Sequence, residues 1–216
     1  MRRLRNHIAL GVTSVAATML VFAVIPSTDA VFRASMATAY VGLALLATTV
    51  AFGPLAAFRG RRYPVTTDIR RDVGIWAGIV SIAHVVIGLQ VHLRGKMPEY
   101  FVHSVRGTLL PRVDPFGVAN HAGAAAALLL GVLLATSSDA AFRRVGARGW
   151  RAVHKFVEWV LILTLLHAAL YQFVEKRDWT IVVGFMVVAI AVISMRVLSR
   201  PPGRFGPVSP SDDMAE

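Results

Sequence analysis

The chain has 216 residues, of which 56% are apolar and 16% charged, and its mean hydropathy is +0.60, far above that of soluble domains. The absence of cysteine excludes disulfides, thiolate metal sites and iron–sulfur clusters, so any bound metal needs histidine or oxygen ligands. The basic residues behind the net charge of +11 cluster at the ends of apolar segments, where they set orientation and meet anionic membrane lipid, so we expect no nucleic-acid partner.

Six apolar segments are long enough to cross a hydrocarbon core about 30 Å thick, which needs roughly 20 helical residues each. We therefore predict an all-α fold, a six-helix transmembrane bundle over residues 1–199 in the cell (inner) membrane. The proline-, glycine- and serine-rich residues 200–216 are predicted to form a disordered cytoplasmic tail. The predicted spans are residues 8–25, 34–58, 73–92, 118–136, 152–173 and 179–198.

The first predicted span follows Met-Arg-Arg-Leu-Arg, as the apolar region of a signal peptide would. Its apolar run of about 18 residues exceeds the roughly 7 to 15 of a signal peptide, so we expect a retained helix. An even number of spans puts both termini on one side of the membrane. With both termini in the cytoplasm, 16 of the 23 lysines and arginines lie on the inner side and 7 on the outer side, as the positive-inside rule predicts.

Two histidines lie deep in predicted spans that run in the same direction. His84 stands in "DVGIWAGIVSIAHVVIGL", about 20 Å beyond Arg71 at the helical rise of about 1.5 Å per residue. By the same count, His167 lies about 24 Å beyond Arg151. An intramembrane imidazole generally faces the bundle interior and marks a functional site. The residues alone leave two alternatives open, a haem held between the two rings and a histidine pair that only hydrogen-bonds across the bundle.

His154 lies roughly 15 Å shallower than His84 by the same arithmetic, so one cofactor cannot easily take both as opposite ligands. Thirteen residues separate it from His167, which on an ideal helix turns the two rings about 220° apart. Either the helix is locally distorted, or the two histidines serve different cofactors or partners. Glu158 lies one turn after His154 and either orients its ring or forms a plain polar pair with it.

The remaining histidines and the glycines have simpler interpretations. We expect His92 and His121, near the outer span ends, to reach interfacial water, and His7 and His103 to be solvated. A zinc site is less expected, because no matched carboxylate or cysteine accompanies the central pair. Helix packing is the favoured role of the small residues at the start of span three, whereas Gly88 leaves room beside His84 for a flat macrocycle.

Three stretches of the sequence carry a family resemblance. "RRDVGIWAGIVSIAH" ends on His84, and "WRAVHKFVEWVLILTLLH" places a histidine four residues after tryptophan and another thirteen residues later. "LLATSSDAAFRRVG" is a weaker third match. These motifs resemble the ferric-reductase-like transmembrane superfamily, and most closely the MsrQ or YedZ family, haem-binding membrane subunits of periplasmic methionine sulfoxide reductase systems.

The resemblance implies a b-type haem protein that moves electrons across the membrane, with His84, His154 and His167 as cofactor-binding residues. Of these, His84 and His167 are the expected iron ligands. Related NADPH oxidases hold two stacked haems with two ligands on each of spans three and five, but the position thirteen before His84 is Arg71. We therefore expect one haem rather than two, because an inner haem on His154 would lack its partner ligand at position 71.

The expected partners follow from what the sequence does not contain. It has no G-x-G-x-x-G turn, so we expect FAD and NADPH to bind elsewhere. Electrons would then arrive from a separate flavoprotein, with FMN among the possible donors, or from quinol. Membrane lipid and a periplasmic acceptor protein are the other expected partners.

The sequence leaves two functions open. In the first, the chain is an electron-relaying haem subunit without catalytic residues of its own. In the second, it is a ferric reductase that acts directly on a metal chelate at its outer face, where Tyr100, His103 and Arg106 lie in a long loop. A haem-free channel or transporter is disfavoured, because the spans lack the paired carboxylates often seen at coupled ion sites.

Overall fold

The structure, a computed structural model, describes residues 2–58, 67–94, 96–175 and 179–198. Over these ranges it contains seven α-helices, one 3-10 turn at Met97–Tyr100 and one β-hairpin. The helices are α1 (Arg2–Val24), α2 (Ala30–Phe58), α3 (Thr67–Gly88), α4 (Pro115–Ala135), α5 (Asp139–His154), α6 (Val157–Val174) and α7 (Trp179–Leu198).

The predicted all-α membrane bundle is confirmed. Within the described residues, five helical stretches are long and apolar enough to cross a membrane, and the 20-residue α7 coincides with the predicted sixth span. The protein is therefore a multi-pass membrane protein. The orientation of its termini stays a prediction, and the predicted tail, residues 200–216, lies outside the described residues.

The fifth predicted span is wrong at its inner end. Residues 139–154 form the separate helix α5, which Ser138 caps by accepting a hydrogen bond from the Ala141 N–H. Gly146 interrupts this helix with a positive φ of 71°, a conformation that costs glycine little. A short break at residues 155–156 then separates His154 from α6. His154 and His167 therefore lie on different helices, in agreement with the first of the two alternatives, a local distortion.

The long loop after α3 contains a β-hairpin that the sequence did not predict. Strands β1 (Val102–Val105) and β2 (Thr108–Pro111) pair antiparallel. Arg106 and Gly107 form the turn, with φ of 50° and 82°, and positive φ at both central positions is the geometry of a type I′ hairpin. The hairpin thus forms with only one glycine in its turn.

Two helix pairs form the centre of the bundle. α2 packs along α3, and α4 packs along α6, more extensively than any other helices in the described part of the chain. Their shared core brings the two pairs together and thereby places α3 and α6, which carry His84 and His167, in one interior. Its buried residues are Leu46, Val50, Ala77, Leu130, Leu133, Val160, Leu161 and Val192.

An ionic cluster ties the start of α1 to the bundle. Asp72 on α3 is fully buried, and its Oδ1 lies 3.2 Å both from Arg3 Nη2 and from His7 Nε2. Arg3 also holds Asp139, at the start of α5, through Nη1 at 2.9 Å. The expectation that His7 is solvated is therefore wrong, because it pairs with a buried carboxylate. The retention of the first helix stays a prediction.

Candidate cofactor site between His84 and His167

The imidazoles of His84 and His167 face each other, with ring centroids 6.2 Å apart and ring planes at 74°. A metal–imidazole bond of about 2.0 Å, with the centroid about 1 Å behind the nitrogen, puts two rings on opposite sides of one metal ion about 6 Å apart. Two rings joined directly by a hydrogen bond of about 2.9 Å would have centroids only about 5 Å apart. The observed spacing of 6.2 Å is that expected of two imidazoles that share one metal ion.

The proton positions on both rings follow from their backbone partners. His84 Nδ1 lies 2.9 Å from the carbonyl oxygen of Ser35, and His167 Nδ1 lies 2.8 Å from that of Ala119. A carbonyl only accepts, so each Nδ1 carries the hydrogen and donates it. In a neutral imidazole the lone pair is then on Nε2, as metal ligation through that nitrogen requires.

Each ring is oriented by the helix packed along its own. The Ser35 carbonyl belongs to α2 and orients His84 on α3, while the Ala119 carbonyl belongs to α4 and orients His167 on α6. Hydrogen bonds of this kind fix the ring direction and raise the basicity of a metal-ligating histidine. The two packed helix pairs therefore preset both imidazoles.

Both rings line a cavity of about 220 Å³, counted as the space open to the centre of a water molecule. The end toward the hairpin has polar lining residues, His92, Asn120, Tyr171 and Gln172, and the opposite end is lined by leucine and valine side chains, Leu43, Leu46, Leu130 and Val160. This distribution suits a flat, largely apolar group with polar substituents at one edge. The residues present thus fit a haem.

His92 is more constrained than the sequence indicated. Its Nε2 lies 3.1 Å from Glu175 Oε1, and its ring stacks on Tyr171 with centroids 6.0 Å apart. The side chain is 30% exposed, so it does reach the surface, but as half of an ion pair at the mouth of the cavity. His121 and His103 are exposed, as predicted.

His154 lies apart from this cavity. It ends α5, stacks on Trp150 with ring centroids 4.0 Å apart, and does not line the space between the facing histidines. Its Nε2 is buried without a hydrogen-bond partner among the described residues. The structure therefore brings two of the three predicted cofactor-binding residues together and leaves the third separate.

Arg71, which stands where a second ligand on α3 would be expected, has a structural role. Its Nη1 lies 2.7 Å from Asp139 Oδ1, and its Nε donates to the carbonyl of Ser137. The side chain thereby joins α3 to the turn between α4 and α5. These contacts occupy it in packing the start of α3 against the end of α4 and the start of α5.

Tyr100 is not available at the outer face, contrary to the expectation that it could dock a metal chelate. It is 1% exposed, its hydroxyl accepts the N–H groups of His92 and Leu93 at 3.0 and 3.1 Å, and it donates to the Gly88 carbonyl at 3.3 Å. Tyr100 thus satisfies backbone groups at the end of α3. These hydrogen bonds take the place of helical ones after Gly88, where α3 ends, whereas the sequence predicted a span that continues to residue 92.

Several residues of the site carry no signal that sequence reasoning used. Tyr171 lies one turn after His167 and donates to Asn120 Oδ1 at 3.0 Å, which joins α6 to α4. The Ser35 and Ala119 carbonyls are backbone groups and have no sequence signature. One sequence feature could have indicated the pairing of Glu175 with His92. His92 follows His84 by eight residues, and Glu175 follows His167 by eight.

The fold and the site define a multi-pass membrane protein with two interior histidines facing each other from separate helices. Residues 35–165 match the family described as ferric reductase like transmembrane component, and the chain belongs to this family. The matched segment includes His84 and His154 and ends two residues before His167.

One relative adds detail to the family assignment. The chain is 30% identical, over 155 residues, to the protein-methionine-sulfoxide reductase heme-binding subunit MsrQ of Ralstonia nicotianae (strain ATCC BAA-1114 / GMI1000). The match covers 72% of this chain and 65% of that relative. The resemblance predicted from the histidine motifs is confirmed.

Proposed function

We propose that this protein binds one b-type haem between His84 and His167 and relays electrons across the membrane to an acceptor at its outer face. The single observation that carries the proposal is the 6.2 Å separation of the two ring centroids, which fits one iron between two imidazoles. The relative named as a heme-binding subunit supports the same cofactor.

The residues of the site favour electron relay over chemistry at the iron. When bound, a haem supplies a one-electron carrier. His84 and His167 would hold the haem iron, one imidazole from each helix, and the group would then serve to carry electrons. The Ser35 and Ala119 carbonyls hold the two rings and raise their basicity. Reduction of the final substrate then belongs to a partner protein.

The proposed orientation puts both termini in the cytoplasm and the hairpin on the outer side, from the distribution of basic residues. Electrons would then enter at the inner side from a separate flavoprotein or from quinol, and leave toward a periplasmic acceptor protein. The exposed arginines of α5, Arg143, Arg144, Arg148 and Arg151, suit an acidic donor and anionic lipid alike. A C-terminal alkaline phosphatase fusion should be inactive, whereas an active fusion would reverse this orientation.

The proposal is tested by the absorption spectrum of the purified protein, oxidised and reduced. A low-spin haem with a sharp reduced α-band and an iron-to-protein ratio near one is the expected result. A purified, folded protein without this band after expression with sufficient haem would overturn the proposed function.

A further inference from the structure

The ring of His167 lies directly over a glycine of α4. A Cβ atom built on Gly123 would be 2.6 Å from His167 Nδ1, 3.0 Å from Cε1 and 3.3 Å from Cγ. All three distances are shorter than ordinary contacts between a side-chain carbon and a neighbouring ring, which begin at about 3.5 Å. Any side chain at position 123 would therefore displace the imidazole or separate α4 from α6.

The same ring is hydrogen-bonded one helical turn earlier on α4. His167 Nδ1 donates to the carbonyl of Ala119 at 2.8 Å, and in an α-helix this is the carbonyl that accepts the N–H of residue 123. The imidazole therefore packs against a single turn of α4. It is hydrogen-bonded to the Ala119 oxygen and lies against the Cα of Gly123.

Whether a Cβ at position 123 matters depends on how freely the ring can move. The tip of a flexible side chain usually gives way at little cost. His167 is held at Nδ1 by Ala119, and under the proposed function it is also held at the other nitrogen by iron. A displacement of the ring would therefore break at least one of these two bonds.

We infer that Gly123 is a positioning residue, which sets the location of the His167 imidazole and thereby its separation from His84. The inference deepens the proposed function and rests on it where iron ligation is concerned. Sequence reasoning did not single out Gly123, because it lies in the small-residue run "AGAAAA", which plain helix packing also explains.

The chain contains a matched control on the same helix. Gly131 lies eight residues after Gly123, and a Cβ built there meets nothing within 4 Å. The gain in helix propensity on replacing glycine with alanine is common to both positions. The contact with His167 distinguishes them.

The experiment compares full-length Gly123→Ala and Gly131→Ala with the unaltered protein by haem titration and by optical and electron paramagnetic resonance spectra. Gly131→Ala should match the unaltered protein. Gly123→Ala should bind haem roughly 10-fold more weakly, the usual effect of losing a group that orients a ligating histidine, and should show a high-spin fraction. Unchanged haem affinity and an unchanged low-spin spectrum in Gly123→Ala would overturn the inference.

A second comparison does not depend on haem. Removing the ring removes its contact with the new Cβ, so Gly123→Ala should lower the thermal unfolding midpoint in the unaltered protein but not in a His167→Ala background. Equal losses in the two backgrounds would overturn the inference. If the unaltered protein lacks the bis-histidine spectrum, the proposed function fails. The comparison of thermal midpoints still decides whether Gly123 sets the position of the His167 ring.

Discussion

His92 and Glu175 join the ends of the two helices that carry the facing histidines, with Nε2 of the imidazole 3.1 Å from Oε1 of the carboxylate. His92 follows His84 by eight residues, and Glu175 follows His167 by eight. The same two polypeptide segments therefore meet twice, once where the rings of His84 and His167 lie 6.2 Å apart and once at His92 and Glu175.

We predict that this ion pair stabilises the bundle but does not ligate iron. His92→Ala should retain haem with the low-spin spectrum, while its free energy of unfolding falls by about 0.5–1 kcal/mol, the usual contribution of a partly exposed pair. His103→Ala, at an exposed position on β1, is the matched control. If His92→Ala loses haem as completely as His84→Ala, then His92 is a ligand and the assignment of the pair is wrong.

The ionic cluster at the start of α1 makes a second prediction. Arg3→Ala removes the guanidinium partner of the fully buried Asp72 carboxylate but leaves His7 beside it, and the loss of one hydrogen bond to a buried charged group costs about 1.5–3 kcal/mol. Arg5→Ala, at an exposed neighbouring position, should cost little. Thermal unfolding in detergent measures both, and equal midpoints for the two variants would show that α1 is not anchored through Asp72.

A third prediction concerns acid stability at the start of α4. The pKa of the Asp114 carboxyl lies below its ordinary value of 3.8. The larger cause is the hydrogen bond from Arg112, and the next is the hydrogen bond from the Gly117 N–H. A pKa lowered in the folded state means that the carboxylate stabilises the fold above pH 3.8, and that this contribution is lost as the pH falls through the folded-state pKa.

The test of this carboxylate is Asp114→Asn, which keeps a capping side chain but loses the charge. It should be less stable than the unaltered protein at pH 7 by about 0.5 kcal/mol, and the difference should shrink as the pH is lowered below 3.8. Thermal midpoints measured over this range decide the matter. A difference that is constant down to pH 3 would mean that the carboxylate charge does not stabilise the helix start.

The fourth prediction is that His154 is not an axial ligand of the central haem. His154→Ala should leave the low-spin spectrum largely intact, because His154 lies on α5 outside the cavity, and it should shift the reduction potential or the coupling to the donor. The iron-to-protein ratio should be near one in both proteins. A ratio near two that falls to one in His154→Ala would reveal a second haem. His154 would be one of its ligands, and the other would be a non-histidine residue or a residue of a partner subunit.

The sequence predicted the bundle well, because hydropathy is a local property and each span needs only its own apolar residues. Counting residues from Arg71 and Arg151 predicted that His84 and His167 lie at similar heights, and their rings do lie 6.2 Å apart, although the break at residues 155–156 falls within the second count. The break before α6 was foreseen only as one of two alternatives. Its place, at residues 155–156, carries no local sequence pattern that predicts it.

The parts of the site that were missed are contacts between distant segments. The pairing of His7 with Asp72 and the burial of Tyr100 depend on which helices are neighbours, and hydropathy does not specify neighbours. Ring orientation depends on the Ser35 and Ala119 carbonyls, which are present at every residue and become ligand-orienting groups only through packing. The sequence could therefore predict that the two histidines come together but not their mutual geometry.

The central claim is that His84 and His167 hold one haem from opposite sides. The most direct measurement is the haem-to-protein ratio of His84→Ala, His167→Ala and the exposed-site control His121→Ala, purified in parallel and normalised to folded protein. We predict that the first two lose most of their haem, because each leaves one face of the iron without its imidazole in an apolar pocket, and that His121→Ala retains it. Full haem content in both His84→Ala and His167→Ala would contradict the account.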